Sequence, residues 1–226
     1  MAETQVAYQR SQEAILATNK VLRNTYLLLS MTLFFSALTA AAAMAVDARP
    51  MGLISLFVML GLLYGVHKLK DSGWGLAMVF AFTGFMGFAL GPLLNYYMAT
   101  AGGTETVMTA LGLTGFIFLS LSGYTLTTQK DFTFLRGFIF VGLMVAMGTL
   151  LILLVGPLFG FHVPGLYLAY SAGLVILASA LILFDTSRII HGGETNYLLA
   201  TVSLYLDIYI LFTHLLHLLG VFGGDD

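Results

Sequence analysis

GFIFVGLMVAMGTLLILLVGPLFGFHVPGLYLAYSAGLVILASALILF, residues 137–184, contains no Asp, Glu, Lys or Arg. About 20 apolar residues in a helix cross the hydrocarbon core of a bilayer, so this stretch is too long for one crossing. Helix breakers divide it, first Gly156-Pro157 and then Gly160-Phe161-His162-Val163-Pro164-Gly165. The reading is a pair of membrane helices, near Gly137–Val155 and Gly165–Ile190, joined by a tight external loop. Outward from this pair, charges punctuate the rest of the chain at membrane-length intervals. Thr25–Val46 lies between Arg23 and Asp47, and Met51–His67 between Pro50 and Lys68. Trp74–Tyr97 follows, with Gly91-Pro92 expected to kink its far end. Thr106–Thr128 and a last run from Tyr197 to Leu219, opened by Thr195 or Asn196 as N-cap, complete the set.

The sequence therefore predicts an all-α integral membrane protein of seven transmembrane helices. It divides into an N-terminal tail (1–24), a helical membrane domain (25–220) and a short C-terminal tail (221–226). Composition agrees. Of 226 residues 59% are hydrophobic and 9% charged, with a mean hydropathy of +0.94, whereas a water-soluble domain carries about a quarter charged residues. A net charge of −2 offers no basic patch for nucleic acid. The absence of cysteine excludes disulfides and thiol chemistry. Ala41–Ala45 resembles a signal-peptide cleavage region, but 24 residues precede the apolar run, and that run exceeds the roughly 7–15 residues of a signal core. It reads as a retained helix.

Loop charges set the orientation. Of nine Lys and Arg residues, eight fall on one side under this topology: Arg10, Lys20, Arg23, Lys68, Lys70, Lys130, Arg136 and Arg188. Arg49 alone falls on the other. The positive-inside rule then places the N-terminus in the cytoplasm and Asp225-Asp226 outside. Small residues within the spans, namely Gly84, Gly87, Gly112, Gly115, Ala172 and Gly173, read as points of close helix approach.

Two acidic residues lie inside predicted spans, Asp185 and Asp207. An ionisable group at a helix centre costs about 2.5–3.5 kcal/mol on insertion scales. Asp207 is ten residues into the last helix, or roughly 15 Å, near the midplane. Asp185 lies about 9 Å deep if its helix continues through Ile190, and near the interface if it stops at Arg188. One reading pairs Asp185 locally with Arg188 at i+3 and makes Asp207 a protonated helix-packing residue bonded to Tyr205, Tyr209 or a neighbour's hydroxyl. The other makes the two aspartates an ion- or proton-sensing pair whose members cannot both ionise cheaply. His214 and His217 are one turn apart, but no third ligand accompanies them, so no metal site is expected. His67 reads as interfacial, while His162 and His191 fall in loops. No Gly-x-Gly-Asp, Gly-x-Ser-x-Gly or His-Glu-x-x-His setting occurs; no catalytic residue, cofactor or enzymatic activity is expected.

Asn19-Lys20-Val21-Leu22-Arg23-Asn24-Thr25-Tyr26, Phe82-Thr83-Gly84-Phe85 through Gly91-Pro92, and His191-Gly192-Gly193-Glu194-Thr195-Asn196-Tyr197 followed by Ala200-Thr201-Val202-Ser203-Leu204-Tyr205 resemble the YccA-like bacterial branch of the Bax inhibitor (TMBIM) family. The resemblance covers most of the chain from Asn19. It implies a fold with helix seven central, wrapped by the other six, in the bacterial inner membrane. It also implies one of two functions. The first is binding and modulation of the AAA+ membrane protease FtsH, with the cytosolic N-terminal tail presented to it. The second is a pH-sensitive calcium or cation leak through two aspartates, whose places Asp185 and Asp207 occupy, with Ca²⁺ as the transported ion. The aspartates tilt the chain toward the ion-handling members. The basic residue those members carry on helix two has no counterpart within Met51–Val66. Oligomeric state is not legible.

Overall fold

The structure, a computed structural model, describes residues 2–100, 102–160 and 163–223, with side chains at 16 and from 18 onward. His162 and Asp225-Asp226, assigned above to the external side, lie outside the described residues, as does half of the expected 221–226 tail. Among the described residues the regular structure is helical throughout: α1 Ala2–Ala45, α2 Leu53–Leu69, α3 Trp74–Met98, α4 Gly103–Thr128, α5 Arg136–Val155, α6 Leu166–Ile190 and α7 Tyr197–Phe222. In hydrocarbon every backbone N–H and C=O must find its partner within the chain, and helices of this length provide that. Six apolar stretches are long enough to cross a bilayer: Thr18–Ala45, Trp74–Met98, Gly103–Thr128, Thr133–Phe159, Leu166–Ile190 and Tyr197–Phe222. α2, with 17 residues, is about 26 Å long and the shortest.

Helix ends fall where the sequence offers turn residues. Gly102 (φ 69°) precedes α4, and Gln129 ends it in the left-handed region (φ 50°), its N–H donating to Thr125 O. A 3₁₀ turn at Gly156–Phe159, with Pro157 early in it, closes α5. Pro92 does not end α3, which runs on to Met98. The largest difference from expectation is at the N-terminus. The chain is helical from Ala2 and continuous with the first span. Residues 2–24 hold no Gly or Pro and several strong helix formers, so nothing in them stops a helix at Thr25.

The chain divides into two compact units, one of Met1–Pro92 with Ser187–Tyr205, the other of Leu93–Thr186 with Leu206–Asp226. In the first unit α1 and α3 meet along a glycine seam. A Cβ on Gly84 would lie 2.5 Å from Phe35 Cε1, one on Gly91 2.5 Å from Ala43 Cβ, and one on Gly87 would strike Ser36 O. Tyr205 of α7 joins this seam. It is 2% exposed, shares a 2.7 Å hydrogen bond with Ser36 Oγ, donates to Thr83 O at 3.2 Å and meets Phe82 edge to face. In the second unit Ile139, Leu174 and Leu177 form a buried cluster joined by Ile210 and Phe184. A 3.1 Å hydroxyl pair, Ser122–Thr186, ties α4 to α6.

Gly84 and Gly87 are therefore points of close approach as expected, and Gly91 extends the row. Gly112, Gly115 and Gly173 are not: no described atom lies within 4 Å of a Cβ built on any of them, and Ala172 is exposed. Spacing along one helix cannot say which small residues face a partner. Gly87→Ala should lower the melting temperature in detergent, since overpacking of this kind costs about 1–3 kcal/mol. Gly112→Ala should hold or raise it, because a helix-interior Ala gains about 0.5–1 kcal/mol over Gly where space is open.

Candidate functional site

α7 carries the candidate acidic group. Asp207 is ten residues past the first residue of the helix, or about 15 Å along it, and is 3% exposed. Its Oδ2 is buried and has no hydrogen-bond partner among the described residues. Asp185 is also buried. α6 continues through Ile190, so Asp185 lies five residues, about 7.5 Å, inside the helix end rather than at it. It stands close enough to Asp207 for its charge to act there. The two aspartates therefore sit in the same compact unit, within electrostatic reach of each other. The Tyr205 hydroxyl, considered above as a partner for Asp207, is shared with Ser36 and Thr83.

The turn that delivers α7 is built by the segment His191–Tyr197. Gly192 takes φ 72°. Its N–H donates to Ile189 O at 3.3 Å and that of Gly193 to Arg188 O at 2.8 Å, the paired bonds of a Schellman stop. Only glycine adopts that backbone cheaply. Arg188 donates from Nη2 to Glu194 Oε2 at 3.1 Å. The other Glu194 oxygen accepts the Asn196 N–H at 3.0 Å. Asn196, rather than Thr195, is the N-cap: its Oδ1 accepts from Leu198 N (2.9 Å) and Leu199 N (3.3 Å). Its Nδ2 donates to Lys70 O and to Asp71 Oδ1, each at 3.2 Å. One side chain thus caps α7 and fastens it to the α2–α3 loop. His191 Nδ1 returns to Ser187 O at 2.9 Å, and Tyr197 O accepts the Thr201 hydroxyl at 2.7 Å.

A second polar cluster lies toward the far end of α7. His217 Nδ1 and Tyr97 OH share a 3.1 Å hydrogen bond, and His214 Nδ1 and Ser171 Oγ one of 3.2 Å. Tyr167 meets the His217 ring edge to face with centroids 4.3 Å apart, and Tyr170 meets His214 at 5.5 Å. A Cβ on Gly220 would strike the Tyr97 ring, so α3 and α7 touch here. Sequence reasoning picked out the two histidines and missed their partners. The available signal was Tyr167 and Tyr170, one turn apart on α6 as His214 and His217 are on α7. Among the described residues no three His, Cys, Asp or Glu side chains gather where they could hold a metal.

Residues 18–224 match the family described as inhibitor of apoptosis-promoting Bax1. The chain belongs to the Bax inhibitor family. It is 45% identical to the Escherichia coli K12 protein named modulator of FtsH protease YccA, over 97% of this chain and 98% of that one. It is 48% identical to an uncharacterized membrane protein of Vibrio cholerae, covering 96% of each, and 47% identical to an uncharacterized Pseudomonas aeruginosa protein, covering 91% of each. It is also 45% identical, over 97% of this chain and 98% of that one, to an E. coli O6:H1 protein named inner membrane protein YccA. The Bax inhibitor assignment spans all seven helices, with both aspartates and the turn from His191 to Tyr197 inside the matched residues.

Asn196→Ala should destabilise the protein by about 1 kcal/mol for the lost cap alone, and by more for the severed Lys70–Asp71 link, read as a fall in melting temperature in detergent. Asn196→Ser, which keeps a capping oxygen but not the amide donor, should recover the first part only.

Proposed function

We propose that this chain is an inner-membrane protein that binds and modulates an FtsH-type AAA+ membrane protease. The observation that carries this reading is the 45% identity, over nearly the whole of both chains, to an E. coli protein named for that role. Charge distribution and α1 support it. With α2 taken as a seventh span and α7 as the helix the others surround, eight of nine basic residues fall on the side of the N-terminus, which the positive-inside rule places in the cytoplasm. There α1 extends beyond its apolar span, which begins at Thr18. Sixteen helical residues, 2–17, project about 24 Å, an appendage suited to an ATPase module at the membrane surface. The tagged protein should co-purify the protease, and its deletion or overproduction should change the turnover of protease substrates. Unchanged turnover in both directions would refute the reading, and removal of residues 2–17 should weaken co-purification while leaving membrane insertion intact.

A second reading has its own observation. Asp207 has a carboxyl oxygen with no hydrogen-bond partner among the described residues and lies within electrostatic reach of a second buried aspartate. Buried polar atoms are nearly always satisfied, and the exceptions call for a reason such as an unplaced ion or water. An ion- or proton-sensing pair formed by Asp185 and Asp207, passing Ca²⁺ or another cation, supplies one. In proteoliposomes Asp207→Asn should change cation flux about tenfold, the effect of roughly 1.4 kcal/mol on a barrier, and flatten its dependence on pH. Asp185→Asn should alter the pH dependence as well. Flux identical to wild type in both variants at every pH would end this reading.

A further inference from the structure

We propose that the outward groove between α5 and α6 seats one hydrocarbon chain of a membrane lipid, with the lipid's polar end at Thr149 and Tyr170. This rests on the bilayer setting alone and is independent of both functional readings.

The groove has a volume of about 440 Å³. On α6 it runs from Leu166, the first residue of the helix, to Leu177, a length of about 16.5 Å at 1.5 Å per residue. That is close to half the ~30 Å hydrocarbon core, the depth of one leaflet. A groove of that length and volume has room for a single alkyl chain, whose carbons sit ~3.5–4.0 Å from their neighbours.

The lining is graded as a lipid is. Val141, Val145, Ala146, Ala169 and Gly173 make it apolar along its length, and the only hydroxyls on it belong to Thr149 and Tyr170. Tyr170 lies about one turn inside the start of α6, and Tyr167 before it is exposed, the placement of tyrosines at a headgroup level. The groove is also continuous with the surface most given to lipid. The stretch containing α5 is the most apolar of the candidate spans and the least buried. Gly173 leaves space that the chain does not itself fill, since no described atom lies within 4 Å of a Cβ there. The wall is held from behind, because the Tyr170 ring meets His214 of α7 edge to face. A chain seated in the groove therefore presses on a side chain already in contact with the helix that carries Asp207.

The test uses the full-length protein in phosphatidylethanolamine–phosphatidylglycerol vesicles doped with a phospholipid bearing a diazirine in mid-chain, with adducts mapped by peptide mass spectrometry. Adducts should concentrate on Val145, Ala169 and Gly173 relative to Phe140 and Leu151, which are exposed on α5 outside the groove. Gly173→Leu should reduce groove labelling about tenfold, the loss of a seat worth ~1.4 kcal/mol, with labelling of Phe140 and Leu151 unchanged. Ala169→Leu serves as the second plug should the first variant fail to fold. Groove labelling no denser than at Phe140 and Leu151, or labelling indifferent to both plugs, would overturn the proposal.

Discussion

Between helices in a bilayer there is no hydrophobic driving force, because lipid tails are as apolar as the side chains they touch. Association must come from close contact and from polar links, and this constraint explains where the chain spends its unusual residues. The α1–α3 seam is made of glycines whose missing Cβ atoms admit Phe35, Ser36 and Ala43. Interhelical hydrogen bonds among the described residues include Ser36–Tyr205, Tyr205–Thr83 O, Ser122–Thr186, Thr201–Thr25 O, Tyr97–His217 and Ser171–His214, each made by a hydroxyl or an imidazole. Comparable links in membrane proteins contribute roughly 0.6 kcal/mol each on average. They specify partners more than they supply stability, since a hydroxyl in the wrong register would be left unpaired in hydrocarbon.

α7 shows what this does for a functional helix. It is the most buried of the candidate spans. Its first turn is fixed by Asn196 and its final turns by Tyr97, while Tyr205 engages the seam. A Schellman stop, a charge-assisted Arg188–Glu194 bond and an N-cap occur within nine residues of one another. Hydrogen bonds to charged groups contribute about 1.5–3 kcal/mol, so this corner is among the most firmly held parts of the backbone. Residues from His191 to Tyr197 are thus explained by turn geometry: Gly192 by its positive φ, Glu194 by two donors, Asn196 by the four partners of its side chain.

Much of this was legible in the sequence, for a physical reason. Charges do not enter hydrocarbon cheaply, so Arg23, Asp47, Lys68, Lys130 and Arg136 mark the span limits within a few residues. Breakers such as Gly156-Pro157 and Pro164-Gly165 mark the rest. The N-cap role of Asn196 was one of two options because Asn carries both the oxygen a cap needs and a donor to spare. Three things were not legible. The start of α1 was hidden because a polar helix without Gly or Pro carries no hydropathy signal. The partners of Tyr205, His214 and His217 come from residues 43 to 169 positions away, and periodicity along one helix says nothing about them. For the same reason Gly84 and Gly112 look alike in sequence, yet one meets Phe35 and the other open space.

Tyr205 and Asp207 lie two residues apart on one helix and show what separates a packing residue from a candidate site. The tyrosine buries a large ring and satisfies its hydroxyl twice, as a structural polar group in lipid must. The aspartate is as deeply buried, adds no comparable apolar area and leaves Oδ2 without a partner among the described residues. Had helix packing been its role, asparagine or serine would meet the same geometry without the charge, and without the ~2.5–3.5 kcal/mol that an acidic group at a helix centre costs on insertion. A second buried carboxyl close by raises that cost. Structural economy would remove both. Two buried carboxyls, one with an oxygen unpartnered among the described residues, are what the second functional reading rests on.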